Sequence, residues 1–126
     1  MKLLTPSALA LALVAGTALA QMPAPATTGQ TNKGEALVDA RRMTLYTFDR
    51  DAQAKSNCNG QCATNWPPLA VPAGAQASGD WTVVTRDDGS KQWAYKGKPL
   101  YAWINDKQPG DTTGDGVQGV WHIAKP

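Results

Sequence analysis

The stretch Leu45-Tyr46-Thr47-Phe48-Asp49-Arg50-Asp51 returns 55 residues later as Leu100-Tyr101-Ala102-Trp103-Ile104-Asn105-Asp106. Both read Leu-Tyr-x-aromatic-x-x-Asp, and the same offset carries Trp66 onto Trp121 without a gap. A constant offset of this kind marks an internal repeat, so the chain reads as two copies of one unit. The candidate motif positions are Tyr46, Phe48, Asp51 and Trp66 in the first copy and Tyr101, Trp103, Asp106 and Trp121 in the second.

Local pattern sets the fold class. Residues 45–48 alternate, which places Tyr46 and Phe48 on one face of a strand and Leu45 and Thr47 on the other. Residues 81–86 read as a strand, Asp87-Asp88-Gly89-Ser90 as a tight turn, and residues 91–95 as the returning strand. A second turn at 96–99 leads into the repeated motif, expected as a strand over residues 100–103, so the second copy should hold a three-stranded meander. No stretch of the mature chain keeps a helical period for three turns. The expected fold is mainly β, a small antiparallel domain of two internal repeats related by a pseudo-twofold. Repeat one spans about residues 36–71 and repeat two about 91–126, with a linker over 70–80 between them.

The ends of the chain carry different signals. Residues 1–20 read as an export signal: Lys2, an apolar run over 3–16, then Ala18-Leu19-Ala20 as a small-residue cleavage site. The run is too short for a membrane span. Residues 21–32 are small, polar and proline-bearing, and such a segment lacks the apolar surface to offset its ordering entropy. They are expected as a flexible leader, followed by a single β domain over 33–126. Loss of Lys2 with the signal takes the formal charge from +2 to +1, which gives no electrostatic case for nucleic acid or an acidic membrane surface.

The doubled motif resembles the Tyr-x-(Phe/Trp/Tyr)-x-x-Asp signature of a family of secreted bacterial repeats, predicted lipoproteins of unknown function, over about residues 35–126. The resemblance implies export and a repeat fold and supplies no activity. A lipoprotein carries its lipid on a cysteine directly after the cleavage site, whereas Gln21 stands there in this chain. The mature protein is therefore expected to be soluble after cleavage at Ala20, without a membrane anchor, in the periplasm or outside the cell.

The loop after each motif differs between the copies. The first holds Cys58-Asn59-Gly60-Gln61-Cys62, and the same offset in the second gives Thr113-Gly114-Asp115-Gly116-Val117. Two cysteines in an exported chain predict a disulfide between Cys58 and Cys62. Haem attachment is excluded by the spacing and by Ala63 after Cys62. A competing reading makes the pair thiolate ligands of a copper or redox protein, with His122 or Met43 as further soft ligands.

Asp51 and Asp106 occupy equivalent positions, as in catalytic dyads formed across a pseudo-twofold, so a hydrolase using them is one reading. The Asp-Thr-Gly signature of such enzymes is missing, and the plainer reading has each carboxylate accept N–H bonds from its own loop. Asp106, Asp111 and Asp115 invite a calcium reading, but their spacing does not fit the calcium-loop pattern. The single histidine, His122, has no nucleophile motif beside it, and a phosphate-binding glycine loop is missing. Most of the aromatic residues should supply the core, with one or two left to line a groove for a sugar or peptide. The function expected is an exported, non-catalytic binding or interaction module. Its partner would be an unidentified small molecule, cell-wall fragment or protein, and no cofactor is expected.

Overall fold

Two hairpins flank the motifs, one in each copy, and both arise from β-prone runs broken by turn residues. In a computed structural model, which describes residues 24–126, strand β1 (Thr27–Thr31) pairs antiparallel with β2 (Gly34–Val38). Strand β4 (Trp81–Thr85) pairs in the same way with β5 (Lys91–Tyr95). The expected export signal over residues 1–20 and the start of the leader lie outside the described residues.

β1 falls inside the stretch expected as a flexible leader, and corrects that expectation for residues 27–31. Its side chains bury little, and order comes from β2, whose Val38 lies so close to Gly29 that a Cβ there would sit 2.9 Å from the valine methyl. A polar sequence thus becomes a strand because its partner supplies the apolar surface.

In the second copy, β6 (Lys98–Pro99) completes the meander β4-β5-β6. The first copy makes the corresponding link with one bridge, Val38 to Thr44. The repeated strand expected over residues 100–103 is not continuous: Tyr101 forms isolated bridges to Tyr46 and Pro68. The two sides use different backbone groups: Tyr46 takes the N–H and carbonyl of Tyr101 itself, while Leu69 N–H donates to the Leu100 carbonyl and Ala102 N–H to that of Pro67.

The fixed offset conceals one slip. Thr28 pairs with Leu37 and Val83 with Trp93, so 28 and 83 are 55 apart while 37 and 93 are 56 apart. The extra residue lies in the 86–90 turn, where Gly89 takes φ +87°. It is recovered before the motif, since Leu45 and Leu100 are again 55 apart.

The copies are interlocked rather than side by side. Strand β3 (Tyr46–Phe48) of the first copy pairs with β7 (Trp121–Ile123) of the second, Tyr46 opposite Ile123 and Phe48 opposite Trp121. Reciprocally, Ala102 N–H donates to the Pro67 carbonyl at 2.8 Å, and Ile104 N–H to that of Asn65 at 3.1 Å. At the centre, Tyr46 and Tyr101 exchange both backbone hydrogen bonds, 2.8 and 3.0 Å, which places the pseudo-twofold through this pair.

Alternation then sorts the core. Leu45 and Leu100 join Ala26, Leu37 and Ala124 in an aliphatic cluster. Tyr46 and Tyr101 enter an aromatic cluster with Trp66, Trp121 and Cys58. After each motif the chain makes a short helical turn, α1 (Gln61–Asn65) in the first copy and a 3₁₀ turn (Val117–Gly119) in the second. Among the described residues, no helix is long and apolar enough to cross a membrane.

Candidate functional site

Each motif tyrosine reaches across the pseudo-twofold to the aspartate of the other copy. Tyr46 O–H donates to Asp106 Oδ2 at 2.6 Å, and Tyr101 O–H to Asp51 Oδ2 at 2.7 Å. The remaining oxygen of each carboxylate serves its own loop, as expected from the sequence. Asp51 Oδ1 accepts Asn57 N–H at 2.7 Å, and Asp106 Oδ1 accepts the N–H and hydroxyl of Thr113 at 2.9 and 2.7 Å. The motif spacing is thereby explained: the tyrosine points into the shared core, and five residues on, past the end of the strand, the aspartate ties down the loop that receives the other tyrosine.

The aromatic positions cross in the same way. Phe48 stacks on Trp121 with centroids 4.2 Å apart, Trp121 on Trp66 at 3.7 Å and 3°, and Trp66 on Trp103 at 3.9 Å. The result is one symmetric column of four rings, Phe48-Trp121-Trp66-Trp103. Tyr46 meets Trp66 edge-on at 5.4 Å, and Tyr101 meets Trp121 edge-on at 5.1 Å. Within its own copy each tryptophan packs against the motif strand. It does so only through the tyrosine edge, while its stacking partners come from the other copy. Gly114 is required beneath this column, because a Cβ there would lie 2.9 Å from both Trp66 and Tyr46.

Burial raises the Tyr46 phenol well above its ordinary range; the Asp106 hydrogen bond and charge add to this, and Gly114 N–H opposes it. Burial likewise raises Tyr101, with Ser56 opposing and Asp51 adding. Asp51 is raised by its own burial, which outweighs the Asn57 and Tyr101 hydrogen bonds and the charge of Arg86. Both phenols are therefore neutral donors throughout the physiological range.

Asp51 and Asp106 do not form a dyad. Asp51 lines one cleft with Phe48 and Pro99, and Asp106 lines a separate cleft with Trp103 and Thr44, the equivalent residues of the other copy. With each carboxylate committed to a phenol and a loop amide, neither is placed to activate water with the other. Asp106→Asn should lower stability by about 1 kcal/mol, the difference between a charged and a neutral acceptor.

For Asp51 the folded-state pKa lies above the unfolded one. Its contribution is thus fully present below the unfolded value, near 3.8, and is lost as pH rises through the folded value. The gap in stability between wild type and Asp51→Asn should consequently widen in favour of wild type as pH falls toward 4. Urea titrations of both proteins across that range check this, and a gap that narrows on acidification would contradict the burial argument.

Cys58 and Cys62 are bonded to each other. Closing so short a loop stabilises by about 2 kcal/mol on the chain-entropy model. Sulfurs joined in this way are not thiolate ligands. His122 Nε2 instead pairs with Asp49 Oδ2 at 2.7 Å on the surface. Among the described residues, no group of three or more His, Cys, Asp or Glu is arranged to hold a metal ion. Asp106, Asp111 and Asp115 do not converge: Asp111 accepts Lys107 N–H at 2.9 Å, and Asp115 pairs with Lys33 at 3.2 Å.

Sequence reading missed Arg86, expected only as the end of a strand. It is 4% exposed, and its guanidinium donates to Ser56 Oγ at 2.8 Å, to Gln92 Oε1 at 2.7 Å and to the Cys58 carbonyl. Ser56 Oγ lies 2.6 Å from the Tyr101 hydroxyl, so a hydrogen-bonded chain runs from Arg86 through Ser56 and Tyr101 to Asp51. The signal available was an arginine at the edge of an apolar strand, which on its own reads as surface.

One surface uses aromatic residues that the motifs leave free. A groove of about 750 Å³ is walled by Trp81, Trp93, Leu69 and Pro72, with Asp39 and Arg41 at its polar side. Trp81 is partly exposed and meets Tyr95 at 4.9 Å, and the 70–80 linker forms one wall.

The family model described as a secreted repeat of unknown function matches the chain twice, over residues 27–70 and 82–125. No curated protein and no solved structure matches it significantly. Both matched segments begin with the first strand of a hairpin and keep the 55-residue offset, 82 less 27 and 125 less 70. With some two-thirds of its residues inside those two segments, the chain belongs to this family of secreted repeats, here as one interlocked pair of copies.

Proposed function

We propose that the protein is an exported, non-catalytic binding module whose ligand occupies the groove at Trp81. The observation that carries this reading is the division of labour among the aromatic residues. The motif rings hold the copies together, whereas Trp81 and Trp93 line an apolar groove of about 750 Å³ with a carboxylate and a guanidinium at its margin. Concave apolar surface with a few polar groups is the usual form of a ligand site. An apolar groove walled by tryptophan rings, with both charge signs at its edge, suits a sugar ring bearing a short peptide, so a soluble cell-wall fragment is the ligand class to test. The description of the family as secreted supports export by way of residues 1–20, with release into the periplasm or the medium.

Titration of the protein with soluble muropeptides, followed by tryptophan fluorescence, should give a saturable change. Trp81→Ala should weaken that binding by on the order of tenfold or more, since aromatic anchors dominate such sites. Saturable binding left unchanged by Trp81→Ala would place the ligand elsewhere, and no binding by either protein would reject this ligand class.

A further inference from the structure

The column of rings ends differently in the two copies, and each tyrosine beside it has a built-in proton acceptor. From these two facts we infer that the motif core conducts one-electron oxidising equivalents from Trp103 to the Tyr46–Asp106 and Tyr101–Asp51 pairs, where they rest as phenoxyl radicals. The position equivalent to Trp103 in the first copy is Phe48, a ring far harder to oxidise than indole. Only the Trp103 end of the column is therefore an entry point. It is partly exposed and lines an open cleft of about 400 Å³ with Arg41, Pro67 and Lys107.

Inward from Trp103, contact between indoles is continuous. Trp103 to Trp66 is 3.9 Å and Trp66 to Trp121 is 3.7 Å, both stacked, so the π-systems overlap and a hole passes between them without crossing a gap. Tyr46 touches Trp66 and Tyr101 touches Trp121.

Oxidation of a buried phenol requires loss of its proton, because the phenol cation is strongly acidic. Asp106 Oδ2 at 2.6 Å and Asp51 Oδ2 at 2.7 Å are placed to take that proton in the same step. The balance is complete. A small diffusible one-electron oxidant takes one electron from Trp103, giving its radical cation and the reduced oxidant. Trp66 refills Trp103. Tyr46 then gives one electron to Trp66 while its O–H bond breaks and the proton bonds to Asp106 Oδ2, leaving Tyr46 as a neutral phenoxyl beside a neutral carboxylic acid. A small one-electron reductant of the ascorbate class returns the electron, and the proton goes back to the phenol oxygen.

The test is flash-quench photo-oxidation of the full-length protein with a ruthenium polypyridyl and a sacrificial acceptor, read by transient absorption, which separates indole radicals from phenoxyl. Wild type should show the indole radical decaying into phenoxyl by first-order, concentration-independent kinetics, slower in heavy water than in light water. Tyr46→Phe/Tyr101→Phe should retain the indole radical and reduce the rate of phenoxyl formation at least about tenfold. Tyr95, which touches Trp81 outside the column, remains as the internal comparison. Asp106→Asn/Asp51→Asn, which keeps an acceptor oxygen but not a base, should slow the same step. Unchanged phenoxyl formation in the tyrosine double variant would assign the radical to Tyr95 and overturn the inference. If that variant does not fold, Tyr95→Phe decides instead: phenoxyl formation should persist in it, and loss of the phenoxyl signal there, or equal wild-type rates in the two waters, would overturn the inference.

Discussion

Trp121→Ala should lower the stability of the domain by about 3–5 kcal/mol, the range for removing a buried large aromatic side chain. Trp121 is 2% exposed and stands at the middle of the ring column, between Phe48 and Trp66, with the Tyr101 edge against it. Truncation removes stacking on two faces and an edge contact together, and it does so at the seam between copies. A domain of this size has a total stability of about 5–15 kcal/mol, so the variant should be close to unfolded at ambient temperature. Urea denaturation followed by far-ultraviolet circular dichroism is the suitable measurement, because the substitution also removes a fluorophore. Trp121→Phe keeps a ring in the column and should cost less, on the order of 1–2 kcal/mol. Trp66→Ala should behave like Trp121→Ala, and the two in one protein should cost less than their sum, since each has already lost the other as a partner. A loss below about 1 kcal/mol for Trp121→Ala would mean that the column does not hold the copies together.

That expectation rests on the exchange of partners between copies. β3 pairs with β7, Phe48 stacks on Trp121, and each motif tyrosine bonds the aspartate of the other copy. One unit by itself would present an unpaired strand, a half column of rings and a buried carboxylate without its phenol. Each repeat of this chain is therefore half of a core, and two copies are the smallest number that satisfies every member of the motif. No buried side-chain nitrogen or oxygen among the described residues lacks a hydrogen-bond partner, which is the outcome a closed pair produces.

The offset in the sequence established which residues are equivalent, and alternation at residues 45–48 established which face each side chain takes. Neither says which copy supplies the partner. Equivalence is symmetric, so Tyr46 bonding Asp51 and Tyr46 bonding Asp106 are the same statement at the level of pattern; backbone geometry decides between them. The hairpin of the second copy was legible because Trp81-Thr82-Val83-Val84 and the Asp-Gly turn carry strong local preferences. β1 was not, because Thr27-Thr28-Gly29-Gln30-Thr31 has no apolar face and is ordered only by its partner. The loop roles of Asp51 and Asp106 were readable from their place at a strand end. Their second role, as acceptors for the tyrosines, was not, since it depends on contacts 50 and 60 residues away.

Arg86 is the case where sequence was least informative and where the expected effect is again large. Arg86→Met should lower stability by on the order of 3 kcal/mol, because it leaves buried acceptors unpaired at about 1–3 kcal/mol each. The acceptors are the Cys58 carbonyl and Gln92 Oε1; Gln92 is fully buried and cannot turn to water. Ser56 Oγ is less affected, since it keeps the Tyr101 hydroxyl. If this account holds, part of the loss is recoverable. Gln92→Leu removes one orphaned acceptor, and the Leu100 carbonyl that Gln92 Nε2 served still accepts Leu69 N–H at 2.9 Å. Arg86→Met/Gln92→Leu should therefore be more stable than the sum of the two single changes by about 1 kcal/mol, as apolar replacement of a whole buried polar group often is. A second readout separates the network from simple packing. Arg86 holds the carbonyl of Cys58, so its loss should free the Cys58–Cys62 loop and speed reduction of the disulfide by dithiothreitol under native conditions. Denaturation curves together with native-state reduction rates check both. Additive stabilities with an unchanged reduction rate would show that Arg86 fills space without anchoring the loop.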